Sequence, residues 1–590
     1  CAATEGTDYT DGSGNLDDIV ISAGATTGTV SFTPTDDSIY DATSNETATI
    51  SINGVSGKTG VAIATSGPGA MNLITGIAGC FYDSVPAIFL SGQVSTFRQS
   101  KDLNIRQLGF QETPIIPMCE QIVKYSTQII DPKSIRYELE KSLSIANEGR
   151  PGPVLIDIPD DIQREFIDPD NLRSYKPNII KVSNQIRDSQ GISDIIKQIF
   201  IAERPIIIAG WGIHLSNTEK QFLELVSLLN IPVVLTWGAS DLLDESNKLR
   251  VGTFGTHGNR FSNFAVQNAD FILSLGCRMD TKATGSPPET FARGAWKAIV
   301  DIDINELNKY DKTNLNYDCK INGDLRDFIP KLINEINQFK SNDLDFSNWF
   351  IKISNWKYKY NAVLESNSQN IPGINPYQLF SGLSDYINFN SSIFIDTGCT
   401  IAWMMQSYRK RGDQRLFHDF NNTAMGWAIP ASMAGAIYSD KKRVICITGD
   451  GSLMMNIQEL ATIKYLNLPI KILVMNNNGY SMIKQTQEQW LDSNYVASSE
   501  EKGLGFPDFC EIANAFGIKS FEYRSNDQDS EFIKIMEEDL TYPILVNCII
   551  HPMWRVTPQV KYGKPNEDQD PLLDRDVFNE EMLIKTIDST

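Results

Sequence analysis

Val444-Ile445-Cys446-Ile447-Thr448-Gly449-Asp450-Gly451-Ser452 and, one helix later, Met475-Asn476-Asn477-Asn478-Gly479 decide how this chain is read. Val444–Thr448 and Ile470–Asn476 are apolar runs too short for helices and closed by Gly or Asn, which marks buried strands. Strand, helix and strand in succession form a βαβ unit, so the two strands lie parallel with their carboxyl ends on one side of the sheet. Asp450 and Asn477 each fall at such an end. Gly-Asp-Gly alone would be a turn; an Asn pair at the neighbouring strand end makes it a site.

That pairing suits a hard divalent cation such as Mg²⁺, which takes oxygen ligands in octahedral geometry and keeps phosphate oxygens among them. Asp450 supplies a carboxylate and Asn477 an amide oxygen, with Gly479 the third metal-site candidate. Gly449 and Gly451 let backbone approach closely, and a helix starting at Ser452 offers N–H groups to a diphosphate.

Working outward, Ile393–Asp396 and Ile544–Ile549 extend the same αβ unit, expected over 376–555. A second unit, over 190–335, opens at Pro205-Ile206-Ile207-Ile208-Ala209-Gly210, with strands near 232–236, 271–275 and 298–303. A third, over 58–170, has strands at Gly60–Thr65, Pro86–Leu90 and Pro153–Ile158 and a helix at Gly69–Cys80. The stretch 168–190 reads as a linker, 340–375 as polar helix, and 556–590 as a tail. The predicted fold is α/β, with three doubly wound parallel-sheet domains. Residues 1–57 differ: Gly28–Phe32 and Thr47–Ile52 alternate with period two between Gly, Asp and Asn turns, the pattern of short antiparallel strands. This β-rich piece resembles adhesin-like sandwiches and reads as foreign to the rest.

Seventy-three acidic against 52 basic residues give a net charge of −21, which repels nucleic acid and anionic lipid. No apolar run has the length of a spanning helix. Nine cysteines without a Cys-x-x-Cys pair argue for reduced thiols and a cytoplasmic setting, and against a zinc site or disulfide framework. Four scattered histidines (His214, His257, His418, His551) do not make a metal cage or a Ser/His relay. The opening Cys1-Ala2-Ala3, with no initiator Met or signal segment, reads as a piece whose start is missing.

With these residues in view, the chain resembles the thiamine-diphosphate enzymes, and among them the FAD-containing acetolactate synthase-like branch, over roughly 58–555. Gly449-Asp450-Gly451 with Asn477 matches the metal–diphosphate motif. Thr65-Ser66-Gly67-Pro68-Gly69-Ala70-Met71-Asn72 resembles the loop that contacts the aminopyrimidine ring from a partner subunit, which implicates Gly67, Pro68, Gly69 and Asn72. Thr423–Ala431 resembles the segment whose Met, here Met425, props the cofactor into its bent shape. Gly255-Thr256-His257-Gly258, Gly276–Gly285 and Asp301-Ile302-Asp303 resemble flavin-binding stretches, implicating His257, Arg278 and Asp301. Phe110 and Gln111 match acceptor-side positions, and Met482 a place near the substrate channel. The resemblance implies thiamine diphosphate, Mg²⁺ and FAD as cofactors, a homodimer or homotetramer, and decarboxylation of pyruvate with transfer of the two-carbon unit to a 2-oxo acid or other carbonyl.

The pattern breaks in places. The family's activating glutamate falls on Ala42, with Glu46 the nearest carboxylate. Asp160 replaces a usual Lys and Thr486 an expected Trp, which opens the channel. Phe97–Gln107, with Arg98, Lys101 and Arg106, is extra, and the tail from Pro558 runs beyond the usual end. These departures resemble enzymes of surface-sugar pathways that use larger acceptors. Two other readings stay open: a 2-oxo acid decarboxylase or lyase of the same cofactor class, and an impaired fragment fused to a secreted β-sandwich module.

Overall fold

In a computed structural model, residues 9–11, 32–34, 59–101, 103–177, 189–338, 344–439 and 443–587 are described. The expected strands around 28–31 and 47–52, together with Ala42 and Glu46, lie outside them. From the first segment, Tyr9–Asp11 pairs antiparallel with Phe32–Pro34. The chain divides into two units, 1–179 and 180–590.

The first unit carries a parallel sheet in the order 60–64, 87–93, 153–159, 125–128. The expected helix at Gly69–Cys80 forms as two, Pro68–Asn72 and Ile74–Tyr82. The extra loop after 87–93 is tied down by Glu112, whose carboxylate accepts from Ser100 N (2.6 Å), Ser100 Oγ (2.8 Å) and Leu108 N (2.8 Å). Partial burial alone would raise its pKa, but these donors outweigh it and hold it below the ordinary carboxylate range. Removing a charged acceptor of this kind costs about 1.5–3 kcal/mol. Glu112→Ala is therefore expected to speed tryptic cleavage at Arg98, Lys101 and Arg106 by about tenfold or more, read by timed digestion; Glu112→Gln should fall between.

The second unit holds two six-stranded parallel sheets. The middle one runs 319–322, 296–301, 271–275, 205–209, 233–235, 250–253. With helices on both faces its inner strands read as unbroken apolar runs, and Ile206, Ile207, Ile208, Ile272 and Leu273 are fully buried. Numbered along the chain, the order is the doubly wound 3-2-1-4-5-6, whose ligand crevice opens between strands 1 and 4. Ala209 pairs with Leu275, so that crevice falls at Gly210 and Gly276. The last sheet runs 415–417, 392–395, 444–449, 470–476, 544–549, 519–523, and its order reverses between 392–395 and 444–449. The polar stretch after 340 forms the helices Ser347–Lys359 and Ala362–Asn367. Among the described residues no helix is long and apolar enough to cross a membrane.

The tail is strapped to the middle domain. Val560 N donates to Thr256 O (2.8 Å), Asn566 Nδ2 to Ala283 O (2.9 Å), and Arg260 to the carbonyls of Gln569 and Pro571. Its last helix, Arg575–Glu581, ends on a hub: Glu581 accepts from Lys352, Trp356 and Lys359 at 2.8 Å and from Tyr360 at 2.9 Å. Burial would raise the Glu581 pKa; the two ammonium groups, the indole and the phenol bring it down to about 2. A depressed carboxylate stabilises above its unfolded pKa and loses that contribution as pH falls through the folded value. The tail is thus expected to release between about pH 4.5 and 2, and Glu581→Ala to release it at neutral pH at a cost of about 2 kcal/mol. Hydrogen exchange across 575–587 reads both.

Candidate cofactor and metal site

Val444 pairs with Ile470 and Gly449 with Met475, which brings Asp450 alongside Asn477 just past the sheet edge. The Asp450 carboxylate accepts from Gly451 N (2.6 Å), Asn477 N (3.1 Å) and Gly479 N (3.1 Å). Burial lifts its pKa to about 6 in spite of these amides. Asn477 is buried and its Oδ1 has no hydrogen-bond partner. A buried acceptor left unpaired is costly and needs an explanation; a divalent cation beside a carboxylate supplies one. The described residues hold no cluster of three or more His, Cys, Asp or Glu fit for a metal. The donor set therefore fits Mg²⁺ held with a diphosphate. The helix begins at Asp450, two residues ahead of the expected Ser452.

Sequence reading missed Asp396. It ends strand 392–395 at the point where the strand order reverses, accepts from Thr448 Oγ1 (2.8 Å) and Gly426 N (3.0 Å), and burial lifts its pKa to about 6. The signal was a lone carboxylate closing Phe394-Ile395-Asp396. Through Gly426 it fixes the loop carrying Met425, whose Cε would lie 3.2 Å from a Cβ placed on Gly451. Met425 is thus brought over the Asp450 turn. Thr400, also missed, is buried in the helix Cys399–Ser407 with its Oγ1 3.9 Å from a Cβ on Gly449. Met482 is half-buried against the core of this domain, and Thr486 Oγ1 donates to its carbonyl at 3.1 Å.

In the middle domain, Arg278, Asp301 and His257 all lie at or just past carboxyl strand ends. Arg278 pairs with Asp280 at 2.8 Å and keeps a buried Nε without a partner, beside the Gly210–Gly276 crevice. Asp301 accepts from Asp303 N at 2.8 Å. His257 packs 6.3 Å from the Trp237 ring, and burial with the nearby Lys282 charge lowers its pKa to about 3, so it is neutral. Lys282, not foreseen as a site residue, lies 3.5 Å over Trp237. The crevice topology and the unsatisfied guanidinium N–H fit a dinucleotide such as FAD.

In the first unit, Gly67 has φ +69° and packs on Gln111, whose carbonyl oxygen would be 3.0 Å from a Cβ there. The structure therefore joins the 65–72 loop to the Phe110–Gln111 turn. Asn72 is exposed, and Phe110 is 86 % exposed.

Three domain models match the chain in order. They are the thiamine pyrophosphate enzyme N-terminal TPP binding domain at 47–118, the central domain at 192–332 and the C-terminal TPP binding domain at 396–548. The N-terminal match starts ahead of the boundary expected at 58. Fold and site thus define a thiamine pyrophosphate enzyme. The chain is 33% identical over 515 residues to the acetolactate synthase large subunit of Cyanidium caldarium, covering 86% of this chain and 84% of that one. It is 33% identical over 497 residues to a probable acetolactate synthase large subunit of Methanococcus aeolicus (81% and 80%). With the large subunit of Lactococcus lactis subsp. lactis the figure is 31% over 518 residues (87% and 85%). The chain belongs to the thiamine-diphosphate-dependent acetolactate synthase-like family.

Proposed function

We propose that this enzyme is a carboligase that decarboxylates pyruvate and transfers the two-carbon unit to a second carbonyl compound. The observation that carries the reading is the unpaired, buried Asn477 Oδ1 beside the Asp450 carboxylate at adjacent strand ends. Asp450, Asn477 and the Gly479 carbonyl would hold Mg²⁺, and Gly449, Gly451 and Ser452 would receive the diphosphate. Bound thiamine diphosphate supplies the electron sink for decarboxylation. Asp396 holds the turn at Gly426, so Met425 would support the cofactor. Met482 lines the channel, and Gly67, Pro68, Gly69, Asn72, Phe110 and Gln111 would complete the site from a second copy, in a dimer or tetramer. Arg278, His257 and Asp301 would hold FAD as a structural passenger. The exposed Arg98, Lys101 and Arg106 and the small Thr486 favour an acceptor larger than a second pyruvate.

Purified protein given pyruvate with thiamine diphosphate and Mg²⁺ is expected to release carbon dioxide and form acetolactate or a ligation product with an added sugar ketone. Carbon dioxide without any ligation product would turn the reading to a decarboxylase, and no turnover would overturn it. A flavin spectrum of the purified protein tests the middle-domain assignment separately.

A further inference from the structure

Helix Ser481–Trp490 leaves the Asn477–Gly479 turn directly, and its first turn carries two polar groups that the assignments above leave unused. Lys484 is only 6 % exposed, and among the described residues its ammonium makes no hydrogen bond or ion pair. Helical side chains lean toward the N-terminus, and the Lys484 stem follows that rule: its Nζ would lie 2.4 Å from a Cβ placed on Gly479. The buried Ser481 hydroxyl, at the same helix end, also has no partner.

A buried ammonium is not tolerated unpaired without compensation. Here it lies at the positive end of a ten-residue helix, next to the turn that carries the Asn477 oxygen. Cation, hydroxyl donor and helix terminus converge on one place, the arrangement that binds a phosphate-type anion. The carboxylates of Asp450, Glu488 and Glu501 act on Lys484 only at longer range. Asp450 is taken up by backbone amides and Glu488 by Arg555, so none pairs with the ammonium directly. A diphosphate carries more negative charge than one divalent ion cancels, and the remainder requires a second cation. We propose that Lys484 is that cation: its ammonium, assisted by the Ser481 hydroxyl, pairs with the diphosphate of the cofactor beside the metal. The proposal rests on the metal–diphosphate reading of Asp450 and Asn477 and adds a charged binding residue to it.

Calorimetric titration of the full chain with thiamine diphosphate at fixed Mg²⁺ tests it. Lys484→Met keeps the side-chain volume and removes the charge; its affinity is expected to fall at least about tenfold, with the loss shrinking as salt rises. Lys484→Arg should stay within about threefold of wild type. The ligand-free melting midpoint should move little. Equal affinity in Lys484→Met, or a lowered melting midpoint with unchanged affinity, overturns the proposal and leaves the metal site standing. Absence of Mg²⁺-dependent uptake by the wild type overturns both. Should the variants fail to fold, competitive acetylation of the wild type serves instead. Magnesium with inorganic pyrophosphate should then protect Lys484 several-fold, and unchanged reactivity overturns the proposal.

Discussion

Asp450→Asn is expected to weaken Mg²⁺-dependent uptake of thiamine diphosphate by more than about 100-fold, because loss of an outer-shell partner alone costs 10- to 100-fold in metal affinity. The change is nearly isosteric, so its effect separates charge from shape. The Asp450 carboxylate takes Gly451 N on one oxygen and Asn477 N and Gly479 N on the other. An amide can keep only one of these sets, and it turns two N–H donors toward the place where a cation would lie. The fold should survive, since the Asn oxygen still accepts from the Asn477 and Gly479 amides while the Gly451 N–H loses its acceptor, at a cost of about 1–3 kcal/mol. Asn477→Ala removes the unpaired oxygen and leaves the carboxylate, so a smaller loss is expected, about tenfold or more. Titration of each variant with Mg²⁺ at saturating thiamine diphosphate, followed by tryptophan fluorescence, reads the order. Wild-type affinity in Asp450→Asn would remove the metal from this turn.

How much of this was legible in the sequence depended on where each strand lies in its sheet. The inner strands were readable because helices cover both faces, so every residue is selected for apolarity: Ile206–Ile208, Ile445–Ile447 and Ile472–Val474 are uninterrupted. In the three parallel sheets the strands that escaped reading are all at edges: 125–128, 250–253, 319–322, 415–417 and 519–523. Tyr125-Ser126-Thr127-Gln128 and Lys519-Ser520-Phe521-Glu522-Tyr523 mix polar and aromatic residues because an edge strand has one neighbour and partial cover. The pairing of Asp450 with Asn477 was legible because its signal is local, two short motifs at adjacent strand ends. Asp396, Thr400 and Lys484 were not. Each comes to the site from a separate element, and a lone Asp, Thr or Lys has no signal until strand order and helix direction are known. The tail was visible as an extension, but its attachment through Asn566, Gln569 and Glu581 depends on partners some 220 to 310 positions away.

Gly210→Ala is expected to cost the middle domain about 3 kcal/mol or more and, under the flavin assignment proposed for that domain, to abolish flavin retention. The reason lies in the crossover between strands 205–209 and 271–275. Gly210 N donates to Leu275 O and Gly212 N to Gly276 O, both at 3.0 Å. A Cβ at 210 would lie 2.1 Å from Gly276 O and 2.6 Å from its carbonyl carbon. These are backbone atoms in a close-packed interior, so no flexible side chain can swing away, and relief requires the two strand ends to part. Parting them moves Arg278, two residues on, and opens the crevice in which the doubly wound order places a dinucleotide. Gly60→Ala, where nothing lies within 4 Å of the added carbon, is the matched control and should be near neutral. Differential scanning calorimetry should show the unfolding step of the middle domain shifted down in Gly210→Ala. An unshifted step together with a normal flavin spectrum would mean that the crevice yields to an added methyl group and that the cofactor does not depend on this contact.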